Sequence, residues 1–259
     1  MNSNRYSSPA SVDIQMRGRE EVKFKVKPIL AGKFGPVRDD IKYRNGNPSL
    51  QEMVPSYIFH AESGSLNVIV DMSFGSVEKC IRMMGLKCER KGSLEEILRN
   101  NGVDRSKVDT VICTHLHWDH AGNGKLFPNA KIICQREELN WAIAPPGWEP
   151  GYSKAFSDEI IEVADRIMPV DGNIALYDGL ELVKLGGHSP GSQAVVINTD
   201  NGKVVIAGDI AMTYRNIEDL IPIGLLCNLE ECVRGINWLK SQNAIILPGH
   251  DWKVMEYEW

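Results

Sequence analysis

Histidine is scarce in this chain, and its spacing points to metal chemistry. Of six histidines, three fall within six residues, in His115-Leu116-His117-Trp118-Asp119-His120. Two more stand in glycine-rich turns after apolar runs, at Gly186-Gly187-His188-Ser189-Pro190-Gly191 and Pro248-Gly249-His250-Asp251. Only His60 stands outside these turns, and Asp209 closes Ala207-Gly208-Asp209 at the end of another apolar run. Neutral imidazole and ionised carboxylate are donors that suit zinc. In an extended turn residues i and i+2 point the same way, so His115 and His117 can grip one metal. Asp119 and His120 begin the following turn and can reach a second. His188 can complete the first site, His250 the second, and Asp209 can bridge the two. Two metals roughly 3.5–4 Å apart can hold both a nucleophile and a substrate oxygen. A lone histidine is usually an ordinary core or surface residue, but that does not explain this whole set. The expected cofactor is two zinc ions, with iron or manganese as alternative occupants.

Strand ends are where open α/β sheets present such groups, and the patterning supplies strands to carry them. Over 22–30, Val22, Phe24, Val26 and Pro28 alternate with lysines, which predicts a half-exposed strand. Strands over 56–60 and 66–71 follow, read as a hairpin with the four-residue turn Glu62-Ser63-Gly64-Ser65, and the second ends in Asp71. Val77, Cys80, Ile81 and Met84 form one face of a helix that Gly85 stops. Ser93 and Glu96 make a capping box for another, ended by Asn101-Gly102. Further strands are expected over 109–114, 130–134, 180–185, 194–198, 204–207 and 244–247. A short helix is expected over 139–143. A longer one follows the Asn228 cap, with Leu229, Cys232, Val233, Ile236 and Leu239 on its apolar face. Sheet, helices, sheet, helices suits a layered α/β sandwich, although patterning alone does not select that architecture. The domain is expected over 22–259, after a flexible polar arm over 1–21.

Composition narrows the function classes. Hydrophobic residues make up 43% and charged residues 24%, ordinary for a soluble globular protein. A net charge of −5 gives no drive toward phosphate backbones, so nucleic acid is not an expected partner. No stretch approaches the roughly 18 apolar residues of a membrane helix, and residues 1–21 lack the apolar centre of an export signal. The expected location is therefore the cytoplasm, with no membrane partner. The six cysteines form no Cys-x-x-Cys pair and read as reduced, mostly buried thiols.

On these motifs the chain resembles the metallo-β-lactamase superfamily over about residues 22–251. The resemblance implies an α/β fold, a four-layer αββα sandwich, and a hydrolytic site built on His115, His117, Asp119, His120, His188, Asp209 and His250. It also suggests that Asp71 lies beneath the histidine turn, the alternative being a plain strand-end turn former. Within the superfamily, several phrases are most similar to N-acyl-homoserine lactonases. They are Thr114-His115-Leu116-His117-Trp118-Asp119-His120-Ala121-Gly122-Asn123, Gly187-His188-Ser189-Pro190-Gly191-Ser192-Gln193, Asn216-Ile217-Glu218-Asp219 and Pro248-Gly249-His250-Asp251. Those lactonases carry a tyrosine three residues after the bridging aspartate, which hydrogen-bonds the substrate carbonyl. This chain has Met212 there and Tyr214 two residues on. If the segment is extended, Tyr214 takes over the hydroxyl and Met212 becomes an apolar wall. Asp119 is the candidate to carry a proton to the leaving oxygen.

The loop over 141–151 combines prolines and glycines with Trp141 and Trp148. It reads as a stiffened apolar lid, or else as a packing or dimer-contact loop. Trp118, Trp141, Trp148 and Met212 are the expected pocket residues, and the apolar stretch Asp219 to Cys227, near Asp209, lines either a pocket or an interface. The expected reaction is hydrolysis of a small-molecule lactone or related ester. Thioester hydrolysis in the manner of glyoxalase II uses the same core, but no basic cluster is placed for glutathione carboxylates. A mononuclear iron oxygenase would use fewer of these ligands, and the flavodiiron branch carries a glutamate where this chain has His117. A non-catalytic zinc-binding protein is the alternative of another class. Structural zinc sites are closed and usually cysteine-rich, unlike this set.

Overall fold

Period-two runs of apolar residues build two sheets that share a core. The computed structural model describes residues 22–64, 66–147, 152 and 154–258, without the side chains of 154–157. The expected N-terminal arm lies outside the described residues. In chain order the elements are β1 (Lys25–Arg38), α1 (Asp39–Lys42), β2 (Gln51–Ser63), β3 (Leu66–Val70), α2 (Val77–Met84), β4 (Lys87–Glu89), α3 (Leu94–Asn100), β5 (Thr110–Ile112), β6 (Lys131–Gln135), α4 (Arg136–Ile143), α5 (Lys154–Ile161), β7 (Ile167–Val170), β8 (Ile174–Tyr177), β9 (Leu180–Lys184), β10 (Gln193–Thr199), β11 (Gly202–Gly208), α6 (Tyr214–Glu218), α7 (Leu229–Ser241) and β12 (Ala244–Pro248). One sheet runs β4-β1-β2-β3-β5-β6-β7 and the other β12-β11-β10-β9-β8.

Side-chain alternation assigns the layers. Tyr57, Phe59, Val68, Val70 and Ile112 of the first sheet meet Leu182, Val195, Ile197, Val204 and Ile206 of the second in one buried cluster. Their neighbours point the other way. Ile58, Ile69 and Val111 pack outward against Leu94 and Leu98 of α3 and Ala142 of α4. Ala194, Val196, Val205 and Ala207 pack outward against Ile217 of α6 and Leu239 of α7. Both faces of both sheets are therefore covered, which gives the four-layer αββα sandwich. Each aliphatic side chain buried this way stabilises the fold by about 1.5–3 kcal/mol.

Caps fall where their chemistry requires. Ser76 accepts from Lys79 N to start α2, and Gly85 ends it with a left-handed φ of 66°. Ser93 and Glu96 close the capping box of α3. Three expectations change. β1 starts three residues after Val22 and continues to Arg38, with register shifts past Leu30 and Phe34. Up to Pro28 it is half-exposed as expected, with Phe24, Val26 and Pro28 buried and Lys23 and Lys25 exposed, but further along both faces are covered, and Ile29 and Ala31 join the outer core. The β2–β3 hairpin is tighter than four residues, since pairing runs to Ser63 opposite Leu66. The short strands β4, β7 and β8 carried too few residues to show a period.

Candidate metal centre

Every expected metal ligand leaves the end of a strand, and all of them converge at one edge of the sandwich. The 115–120 turn follows β5, His188 follows β9, Asp209 follows β11 and His250 follows β12. Donor atoms of His115, His117 and His188 gather in one group, those of Asp119, His120 and His250 in another, and His115, His120 and Asp209 link the two. His188 Nε2 lies 2.8 Å from His117 Nδ1 and 3.2 Å from His115 Nε2. His250 Nε2 lies 3.0 Å from Asp209 Oδ1 and 3.4 Å from Asp119 Oδ2. Asp209 Oδ2 faces His188 Nε2 at 3.6 Å, so its two oxygens face opposite groups. Two ligands on arms of about 2.0–2.1 Å at a tetrahedral angle stand roughly 3.3 Å apart, which is the spacing seen.

The outer nitrogens decide what the inner ones can be. His120 Nδ1 donates to Asp71 Oδ2 at 2.8 Å, His250 Nδ1 to the Pro55 carbonyl at 2.7 Å, and His188 Nδ1 to the Leu225 carbonyl at 2.8 Å. Each outer nitrogen therefore carries hydrogen, and in the neutral ring each Nε2 is a bare lone pair. His120 Nε2 and His250 Nε2 nevertheless face each other at 3.2 Å. Buried Asp209 Oδ1 stands between them and accepts no hydrogen bond. In the neutral rings these lone pairs converge in a buried space that a proton or a metal cation must fill, and the residues present fit divalent metal.

Electrostatics agrees. Burial and neighbouring imidazoles hold His115 and His117 well below the ordinary imidazole range, which keeps them neutral donors. Burial opposes charge on His120, but Asp119, Asp71 and Asp209 outweigh it and raise it well above that range. His250 is raised against burial by Asp209. Burial would raise Asp209, yet His250 and His120 hold it well below the carboxylate range. Burial pushes Asp119 up against the pull of His120 and His250. Without metal, protons on His120 and His250 offset the buried carboxylates, and a cation does the same. Asp71 also accepts from Thr114 N at 2.7 Å and Thr114 Oγ1 at 2.8 Å. It thus fixes both the start of the histidine turn and the His120 ring, rather than serving as a plain turn former.

A cavity of about 390 Å³ opens onto His117, Asp119, His188 and Asp209. Trp118 and Met212 line it, together with Phe34, Ile41, Met84 and Leu225. Trp118 is held edge-on by Phe34 at 4.9 Å between centroids. Trp141 is not a lining residue; its ring packs against the outer core of the first sheet and lies 6.5 Å from Tyr152. Trp148 lies outside the described residues. Tyr214 also departs from expectation. The segment is not extended there: Thr213 and Asn216 form a capping box, and Tyr214 opens α6. Its ring packs against the inter-sheet cluster, and its backbone N–H donates to Asp251. The structure therefore does not bring the Tyr214 hydroxyl to the cavity, and Met212 stands there alone.

A family model for the metallo-beta-lactamase superfamily matches residues 52–250. The chain belongs to the metallo-beta-lactamase superfamily. An N-acyl homoserine lactonase of Bacillus thuringiensis is 28% identical over 211 residues, covering 75% of this chain and 80% of that protein. The N-acyl homoserine lactonase AttM of Rhizobium radiobacter is 30% identical over 159 residues, covering 58% and 60%. Among solved structures, a quorum-quenching N-acyl homoserine lactone lactonase matches with a TM-score of 0.76 at 26% identity, over 90% of this chain and 94% of that one. A B. thuringiensis AiiA variant with N-decanoyl-L-homoserine bound at its active site matches with a TM-score of 0.78 at 25% identity, over 91% and 96%.

Within this superfamily site, sequence reasoning missed the far wall of the cavity. Phe34 and Val37 come from β1, and Met84 and Leu86 from the end of α2 and the link to β4. No spacing rule ties these residues to His115, because long-range pairing of β1 with β2 and β4 brings them there. Leu225 was flagged by its apolar run, and it both lines the cavity and accepts from His188. His60, the outlying histidine, pairs instead with Asn67 at 2.7 Å.

Proposed function

We propose that this chain is a binuclear metal-dependent hydrolase that opens a lactone or a related ester of a small, largely apolar molecule. The observation that carries the reading is the pair of inward Nε2 lone pairs of His120 and His250, held beside Asp209 at the floor of an open cavity. His115, His117 and His188 would hold one ion, Asp119, His120 and His250 the other, and Asp209 both. Zinc suits these donors, and iron or manganese can occupy the same set. When bound, such ions supply Lewis-acid polarisation of a carbonyl and lower the pKa of water.

The protein's own residues do the rest. Trp118, Phe34 and Met212 exclude water and orient the acyl portion against the ligand floor. Asp119 lines the cavity, so besides helping to hold an ion its carboxylate stands where it can pass a proton to the leaving oxygen. Among the described lining residues Arg38 is the cationic side chain, and it is engaged bidentately by Asp40 at 2.8 Å. That arrangement favours a lactone over a thioester carrying several carboxylates. The similarity to lactonases supports the same choice, and a cytoplasmic location is part of this reading. Among the described residues no helix is long and apolar enough to cross a membrane. The test is a screen of purified protein against N-acyl-homoserine lactones, simple lactones, thioesters and β-lactams. Turnover of lactones above the others is expected; preference for thioesters or β-lactams would sink the substrate assignment.

A further inference from the structure

One fully buried carboxylate near the metal ligands has no part in the chemistry above. Glu138, in the first turn of α4, receives hydrogen bonds from three separate segments. Its Oε1 accepts from Leu116 N at 2.8 Å and from the Tyr152 hydroxyl. Its Oε2 accepts from Ser189 Oγ at 2.7 Å and Gly191 N at 2.9 Å. Leu116 lies between His115 and His117, and Ser189 follows His188. Tyr152 also lays its ring against that of His117, 4.4 Å between centroids. Gly191 makes the close approach possible, since a Cβ there would stand 2.4 Å from the Glu138 Cβ. A buried carboxylate is costly unless its lone pairs are filled, and here four donors fill them.

We propose that Glu138 is a positioning residue for the metal centre. It joins the turn carrying His115 and His117 to the turn carrying His188, and so sets the spacing of the imidazoles that would hold one of the two ions. This role rests on the binuclear reading above. The chemistry is particular to a carboxylate. A glutamine amide puts an NH₂ group where one oxygen was. At the Oε1 position it faces the Leu116 N–H, and at Oε2 it faces the Gly191 N–H. The hydroxyls of Tyr152 and Ser189 can rotate to accept, but a backbone N–H cannot. In either orientation Glu138→Gln therefore pushes one ligand-bearing turn away from the other.

The test is a cobalt(II) titration of metal-free protein, followed by absorbance, on wild type, Glu138→Gln and Tyr152→Phe. Wild type should take up about two ions in two resolvable steps. Glu138→Gln should weaken one step by about 10–100-fold, the usual cost of removing a group that supports metal ligands, and leave the other within about threefold. Tyr152→Phe, which keeps the carboxylate and removes one donor, should weaken the same step by several-fold. It decides the matter if Glu138→Gln does not fold. Two wild-type-like steps in the variants overturn the positioning role, as does equal weakening of both steps. Wild type that takes up no cobalt overturns the metal centre itself, and this role with it.

Discussion

Asp71→Asn probes the link between fold and metal centre at a single atom. Asp71 holds a left-handed φ of 61°, a conformation asparagine also tolerates, so the backbone can stay in place. The carboxylate accepts from Thr114 N and Thr114 Oγ1 and holds His120 Nδ1. An amide nitrogen at Oδ1 meets the Thr114 N–H. At Oδ2 it meets the His120 N–H and forces the proton onto Nε2, the atom aimed at the metal. Either way one charge-assisted buried hydrogen bond is lost, at about 1.5–3 kcal/mol. At 1.4 kcal/mol per tenfold, that is roughly 10- to 150-fold in affinity. The assay is competition for metal between the metal-free variant and a chromophoric chelator. The weakened ion should be the one held by Asp119, His120 and His250, with the other little changed. Affinities within about twofold of wild type for both ions would refute the proposed coupling through His120.

Other outcomes follow from the same geometry. Asp209→Ala should abolish most turnover and loosen at least one metal, whereas His60→Ala should leave metal content unchanged; equal metal loss in both would show the ligand assignment to be wrong. Tyr214→Phe should keep kcat within about threefold of wild type on the substrate the screen finds. A loss near the 10²–10³ typical of an oxyanion donor would return Tyr214 to the site. Burial pushes the thiols of Cys134 and Cys232 up to about 12, and Cys113 well above its ordinary value. Thiolate is therefore scarce in these groups at pH 8, and iodoacetamide should modify them in native protein far more slowly than after denaturation. Equal rates in the two states would contradict the burial.

The candidate metal ligands were legible because their chemistry leaves a local mark. His115, His117, Asp119 and His120 lie in one turn, and His188, Asp209 and His250 each follow a recognisable apolar run. The long strands and capped helices were legible for the same reason: Ser93 and Glu96, or Val195 beside Val196, carry their own pattern. What stayed hidden depends on contacts far apart in sequence. Phe34 reaches the cavity only because β1 pairs with β2 on one side and β4 on the other. Glu138 is one of two adjacent glutamates in a helical first turn, and nothing in Gln135-Arg136-Glu137-Glu138 tells which one is buried. Tyr214 was misplaced because a spacing of two residues implies a shared direction only in extended backbone, and the Thr213–Asn216 capping box turns the chain into α6 instead.

The central claim is a pair of metals held by one set of histidines and aspartates. Elemental analysis of protein purified without chelator, with turnover of an N-acyl-homoserine lactone followed on the same sample, tests it most directly. About two ions per chain are expected, with turnover lost on chelation and restored by zinc. A firm value near one ion per chain, unchanged when metal is added, would contradict the account, as would full lactone turnover in metal-free protein.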